Sequence, residues 1–125
     1  MLAFLVAISF QAALQPISPT RDAFMAALAA GDGAAAQAML TPEATIVHAE
    51  PEPAETTAAA IATFLKGCEG SILLDVGWDD PTAMAFTGGW SCGERGETDM
   101  SVWLQDDRVV WVQLRKLEPA AAPAQ

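Results

Sequence analysis

From residue 71 onward the chain reads as strand almost without interruption, and that run most limits the folds open to it. "SILLDVGWD", "TAMAFTGGWSCG", "ETDMSVWLQ" and "RVVWVQLRKL" are rich in β-branched and aromatic residues. "WDDPT", "GERG" and "DD" lie at their junctions and carry turn chemistry. Strands joined by such short turns form an antiparallel sheet, and at least one face of that sheet must be covered. The first half of the chain supplies the cover. Thr20 is placed to cap a helix carrying Phe24, Ala27 and Leu28 at helical spacing. "GDG" breaks that pattern, and a second short helix carries Ala35, Met39 and Leu40 before Pro42. "ATIVHAE" alternates as a strand does, and "PEPAE" reads as a turn-rich link. Thr56 or Thr57 then caps a third helix, "AAAIATFLKGCEG", with Ile61, Phe64, Leu65 and Cys68 on one side. The order is helix, helix, strand, helix, then four strands, which is the α+β class.

The ends and the charge fix the setting. "MLAFLVAISFQAAL" is an apolar run too short to span a bilayer, and residues 1–15 read as a signal peptide. The competing reading is an extra helix packed on the domain. Cleavage would leave no stable membrane insertion and place the protein in the periplasm or outside the cell. Residues 20–118 form one domain, and 119–125, "PAAAPAQ", read as a disordered tail. Six basic against sixteen acidic residues give a formal charge of −10, dispersed along the chain. No basic stripe exists to neutralise phosphates, so nucleic acid is not an expected partner.

The order of elements, with "AFMAALAAGDGAAAQAMLTPEATI" at the front, resembles the nuclear transport factor 2-like superfamily, which includes the SnoaL-like and ketosteroid isomerase-like domains. The matching features are the "AALAAGD" joint, "TPEATI" leading into the first strand, "AAAIATFL" as the third helix, and the closing "LQDDRVVWV" hairpin. The resemblance implies a cystatin-like cone, in which a curved antiparallel sheet wraps three helices and leaves a pocket. It does not fix an activity, since such domains serve as isomerases, cyclases, dehydratases, ligand binders and dimerisation modules. The ketosteroid isomerases rely on a tyrosine in their oxyanion hole, and this chain has none.

Few residues carry candidate chemistry. Cys68 and Cys92 are the only cysteines, and export favours their pairing as a disulfide. Cys68 should end the third helix above a strand carrying Cys92, and the bond would contribute about 3 kcal/mol in the chain-entropy model. The alternatives are inert buried thiols or a reactive thiol, and the latter would need a base beside it. Two thiols and one His fall short of a zinc set, so neither a metal nor another cofactor is expected. His48, the only His, shares a strand face with Glu50 and is the sole candidate general base. The simpler reading is a half-buried His bonded to backbone.

Trp78, Trp90, Trp103 and Trp111 all fall among the strands, either as core and interface packing or as the wall of an apolar cavity. If "DD" is a two-residue turn, Leu104 pairs with Val109 and Val102 with Trp111. Met100, Val102, Leu104, Val109, Trp111 and Gln113 then share the inner face, while a three-residue turn would regroup these rows. Both faces carry apolar side chains, so a second subunit is an expected cover for the outer one. His48, Trp90, Trp111 and Gln113 are the expected ligand-binding set, for a small apolar or amphipathic molecule held in the cone. An enzyme of the lyase or isomerase kind using His48, and a dimerisation module with a filled cone, are the other readings.

Overall fold

The computed structural model describes residues 18–49, 52–77 and 79–119. The expected leader, Glu50, Trp78 and the tail beyond Pro119 lie outside them. Helix α1 spans Pro19–Ala30, α2 Gly33–Ala38 and α3 Ala58–Leu65. Ser18, rather than Thr20, caps α1: its side-chain oxygen accepts from the Arg21 backbone N–H at 3.1 Å. Pro19 makes this the better start, because a proline at the first helical position forfeits no hydrogen bond. Thr20 instead donates its hydroxyl to Asp107. Thr57 caps α3, and this helix ends at Leu65, so Cys68 falls in the link beyond it. Gly31, at φ 73°, closes α1 in the left-handed conformation that glycine tolerates best.

Six strands form one sheet: β1 Leu40–Ala49, β2 Pro53–Glu55, β3 Glu69–Gly77, β4 Ala83–Ser91, β5 Glu97–Gln105 and β6 Arg108–Leu114. Their order is β2-β1-β6-β5-β4-β3, parallel only between β1 and β6. The "PEPAE" segment expected as a link contains β2, which pairs antiparallel with β1 and places Ala54 opposite His48. Its proline is tolerated because β2 is an edge strand.

The last hairpin corrects the expected faces. Asp106 and Asp107 both have positive φ, 52° and 61°, as a two-residue turn of the primed type requires. Leu104 pairs with Val109 as expected, but Trp103 pairs with Trp111, leaving Val110 as an extra residue. That bulge turns every later side chain of β6 over. Val112 and Leu114 therefore face inward opposite Val102 and Met100, while Trp111 and Gln113 face outward opposite Trp103 and Ser101.

The inner face meets the helices in one core. Phe24 and Leu28 of α1, Ile61 and Leu65 of α3, and Phe86, Met100, Val102, Val109, Val112 and Leu114 of the sheet are almost fully buried. Two glycines on this face admit larger neighbours. A Cβ on Gly70 would lie 2.7 Å from the Trp90 ring, and one on Gly88 would lie 2.9 Å from the Met25 thioether. The methionine end can shift, whereas the buried indole cannot. Gly70→Ala should therefore lower the unfolding free energy by about 1–3 kcal/mol, as overpacking does, and Gly88→Ala by less. Urea titration of the two variants checks the ranking.

Candidate functional site

Three regions of the domain can bear a function: the two ends of the cone and the outer face of the sheet. At one end, His48 on β1 faces inward, and its ring meets Phe64 of α3 edge-on with centroids 4.7 Å apart. The Arg95 guanidinium lies over the same Phe64 ring, 5.2 Å from its centroid, and donates to Cys68 Sγ at 3.1 Å. Cys68 and Cys92 are joined in a disulfide that ties the start of β3 to the end of β4. Cys92 stands just after β4 rather than inside it, at the head of a 3₁₀ turn, Gly93–Arg95. The buried His48 Nε2 has no hydrogen-bond partner, and among the described residues no carboxylate pairs with this His. Lacking a second titratable group in contact, His48 gains no acid–base partner from the described residues.

At the opposite end, the β3–β4 and β5–β6 turns meet the start of α1 around a cleft of about 580 Å³. Met84, Leu104, Val76 and Ala83 contribute apolar lining, and Asp75, Asp106 and Asp107 contribute carboxylates. Asp107 accepts from Ser18 and Thr20, which fastens the β5–β6 turn to α1. Asp75 pairs with Arg21 of α1. That bond, followed by the one to Asp22, raises the Arg21 pKa further above its ordinary value. Within the β3–β4 turn, the Thr82 hydroxyl and then its backbone N–H hold the Asp80 carboxyl below the usual carboxylate range.

The four residues expected to bind a ligand do not converge. Between His48 and the strand carrying Trp90, the register inserts Leu114 and Met100, both fully buried. Trp90 is itself buried in the core with its indole N–H unpartnered. Trp111 and Gln113 lie on the far face of the sheet, displaced there by the bulge at Val110. The turn-end cleft had no counterpart in the expected set. Its lining comes from four separated chain segments, and no local motif marks such a convergence.

The outer face is organised in rows set by strand pairing. One row runs Val76, Ala85, Trp103, Trp111 and Thr45 across β3, β4, β5, β6 and β1; the next runs Leu74, Thr87, Ser101, Gln113 and Val47. From β3 across to β1 neither row carries an ionisable side chain, and on the edge strand β2 the second row ends in Glu55 beside Val47. Leu74 is 58% exposed, Trp103 51% and Val76 40%. The Trp103 and Trp111 rings lie 6.1 Å apart in a tilted pair. Charge resumes at the rim, where Arg115 pairs with Asp99 at 3.6 Å.

A ketosteroid isomerase-like protein from Erwinia carotovora atroseptica superposes with a TM-score of 0.62 at 11% identity, covering 80% of this chain and 92% of that one. A cystatin-like protein of unknown function from Methylobium petroleophilum gives 0.59 at 14% identity, covering 84% and 78%. The fold is nuclear transport factor 2-like. A DUF4783 family protein from Bacteroides ovatus gives a TM-score of 0.58 at 10% identity over 77% and 94% of the two chains. No family model and no curated protein matches the sequence. At these identities the likeness concerns the fold, and nuclear transport factor 2-like domains differ in activity by their side chains.

His48→Phe tests whether the lone His is structural. The substitution removes the orphaned Nε2 and keeps an aromatic ring against Phe64. Unfolding free energy should stay level or rise by up to about 1 kcal/mol, because a buried unpaired polar atom is a cost. A loss of more than that in urea titration would show that the imidazole makes a bond the fold needs.

Proposed function

We propose that this domain is an extracytoplasmic interaction module that pairs with a second copy of itself through the outer face of its sheet. The observation that carries this reading is the uncharged double row containing Trp103 and Trp111. The chain has sixteen acidic residues, yet across β3, β4, β5, β6 and β1 none falls in those two rows, and Glu55 stands only at their β2 margin. An apolar centre with a charged rim is the usual anatomy of a protein interface. Strands β3 to β6, nine, nine, nine and seven residues long, present a face of about 30 by 20 Å. Such a corrugated face approaches the roughly 800 Å² per partner of a stable interface. A two-fold contact would set the same rows against themselves without opposing like charges. The filled inner face agrees with a module that works by its surface.

The Cys68–Cys92 bond points to an oxidising environment, and we place the protein in the periplasm or outside the cell, released by cleavage of its leader. Sedimentation velocity should show a dimer, and Trp103→Glu should shift it to monomer by burying an unpaired charge. A wild-type monomer at about 100 µM would reject the reading, since stable interfaces of this size hold at micromolar concentration or below.

The turn-end cleft favours a second reading, the binding of a small amphipathic molecule. Apolar residues contribute its lining and three carboxylates stand around it, a combination suited to a molecule with one apolar end and one polar end. In a thermal-shift screen, a bound compound should lose its effect in Met84→Asp and keep it in Trp111→Ala. The reverse pattern would move the site to the outer face.

A further inference from the structure

We propose that Cys68–Cys92 is a thiol–disulfide exchange site as well as a clamp, opened by attack on Cys92 with Cys68 leaving as a thiolate held by Arg95. The two sulfurs are unequally placed. Cys68 is 5% exposed and belongs to the core, whereas Cys92 is only partly buried at the head of an exposed turn. An incoming thiolate therefore meets Cys92, and the departing sulfur is the one Arg95 touches.

The contact at 3.1 Å between Arg95 Nη2 and Cys68 Sγ has different value in the two redox states. A disulfide sulfur is a weak acceptor, and a cation gains little from it. A thiolate carries a full charge, and a guanidinium beside it stabilises that charge strongly. The contact thus favours the reduced state and eases departure of Cys68. Among the described residues no carboxylate forms an ion pair with Arg95, although Glu94 and Glu97 are near it in sequence and Glu69 adjoins Cys68. The guanidinium is held in place by the Phe64 ring beneath it, and His48 braces that ring from its edge.

The surrounding backbone tolerates the open state. Glu69 pairs with Ser91 and Gly70 with Trp90 directly beside the bond, so the β3–β4 ladder persists without it. The turn is closed by its own bonds, Cys92 N–H to the Gly96 carbonyl and Gly96 N–H to the Gly93 carbonyl. Gly93 and Gly96, at φ 64° and 114°, give it a path that other residues rarely take. Cys92 and Arg95 thereby sit within a single turn that can move as a unit.

The partner is a dithiol. Its first thiolate attacks Cys92 Sγ, the S–S bond breaks, and Cys68 leaves with the electron pair. Its second thiolate then attacks the partner's own sulfur in the mixed disulfide and releases Cys92. Two electrons and two protons pass to this chain, and the partner leaves as a disulfide.

The test uses the full chain in glutathione and dithiothreitol redox buffers, with the redox state read by alkylation and mass spectrometry. In wild-type protein, glutathione trapped as the mixed disulfide should map to Cys92. Arg95→Gln should lower the equilibrium constant for reduction about tenfold, equivalent to about 30 mV, and slow reduction by dithiothreitol. Arg95→Lys should recover part of both. Glutathione on Cys68, or a potential and rate unchanged in Arg95→Gln, would overturn the proposal. Equal losses in the Gln and Lys variants would overturn the role of the charge and assign Arg95 to packing. If Arg95→Gln does not fold, the site of glutathionylation in wild-type protein still decides between the two sulfurs.

Discussion

The contact on which the rest of the structure depends is that of Met25 and Trp90 over the two bare positions at Gly70 and Gly88. It lets α1 lie close against the sheet, and the Arg21–Asp75 pair fastens the same helix to β3. With α1 seated there, Phe24 and Leu28 complete an apolar interior. The volume that a wider cone would offer to a ligand is occupied by the protein's own side chains. Fold and function are therefore linked by filling: a core this dense leaves the ends and the outer face as the surfaces where another molecule can be met.

Much of the architecture was legible because it rests on local chemistry. The three helices, the strand after them and the closing hairpin follow from periodicity, caps and turn residues, and the Asp106–Asp107 turn fixes the pairing of Leu104 with Val109. The cysteine pair followed from its number and its setting. What escaped was decided by small departures from regularity. One extra residue at Val110 carries Trp111 and Gln113 from the inner to the outer face, and alternation alone does not announce a bulge. Likewise β2 is three residues long and exposed throughout, with no hydrophobic pattern to reveal it. Its existence depends on an edge of β1 that only the assembled sheet provides.

Candidate chemistry was legible in inventory but not in arrangement. A single His and two cysteines are plain in the sequence, yet the line from His48 through Phe64 to Arg95 and the disulfide joins three separate segments. Arg95 carries no signal in the sequence, because a lone arginine in a polar turn looks solvated. Its position over an aromatic ring and against a sulfur is a tertiary fact. The turn-end cleft is tertiary in the same sense, assembled from the start of α1 and the two turns.

The parallel pairing of β1 with β6 sets a schedule. The first long strand has its central partner at the far end of the chain, with Leu40 beside Val109 and His48 beside Leu114. A backbone bond from the Val109 N–H to the Met39 carbonyl joins the same two regions. A ribosome must therefore deliver β6 before β1 can be enclosed, and contacts so distant in sequence form slowly. During synthesis the segments that become the helices and the first strand are made before the ladder that locks them. A polypeptide that completes itself only with its last strand remains unlocked, and threadable through a narrow pore, for as long as that strand is withheld.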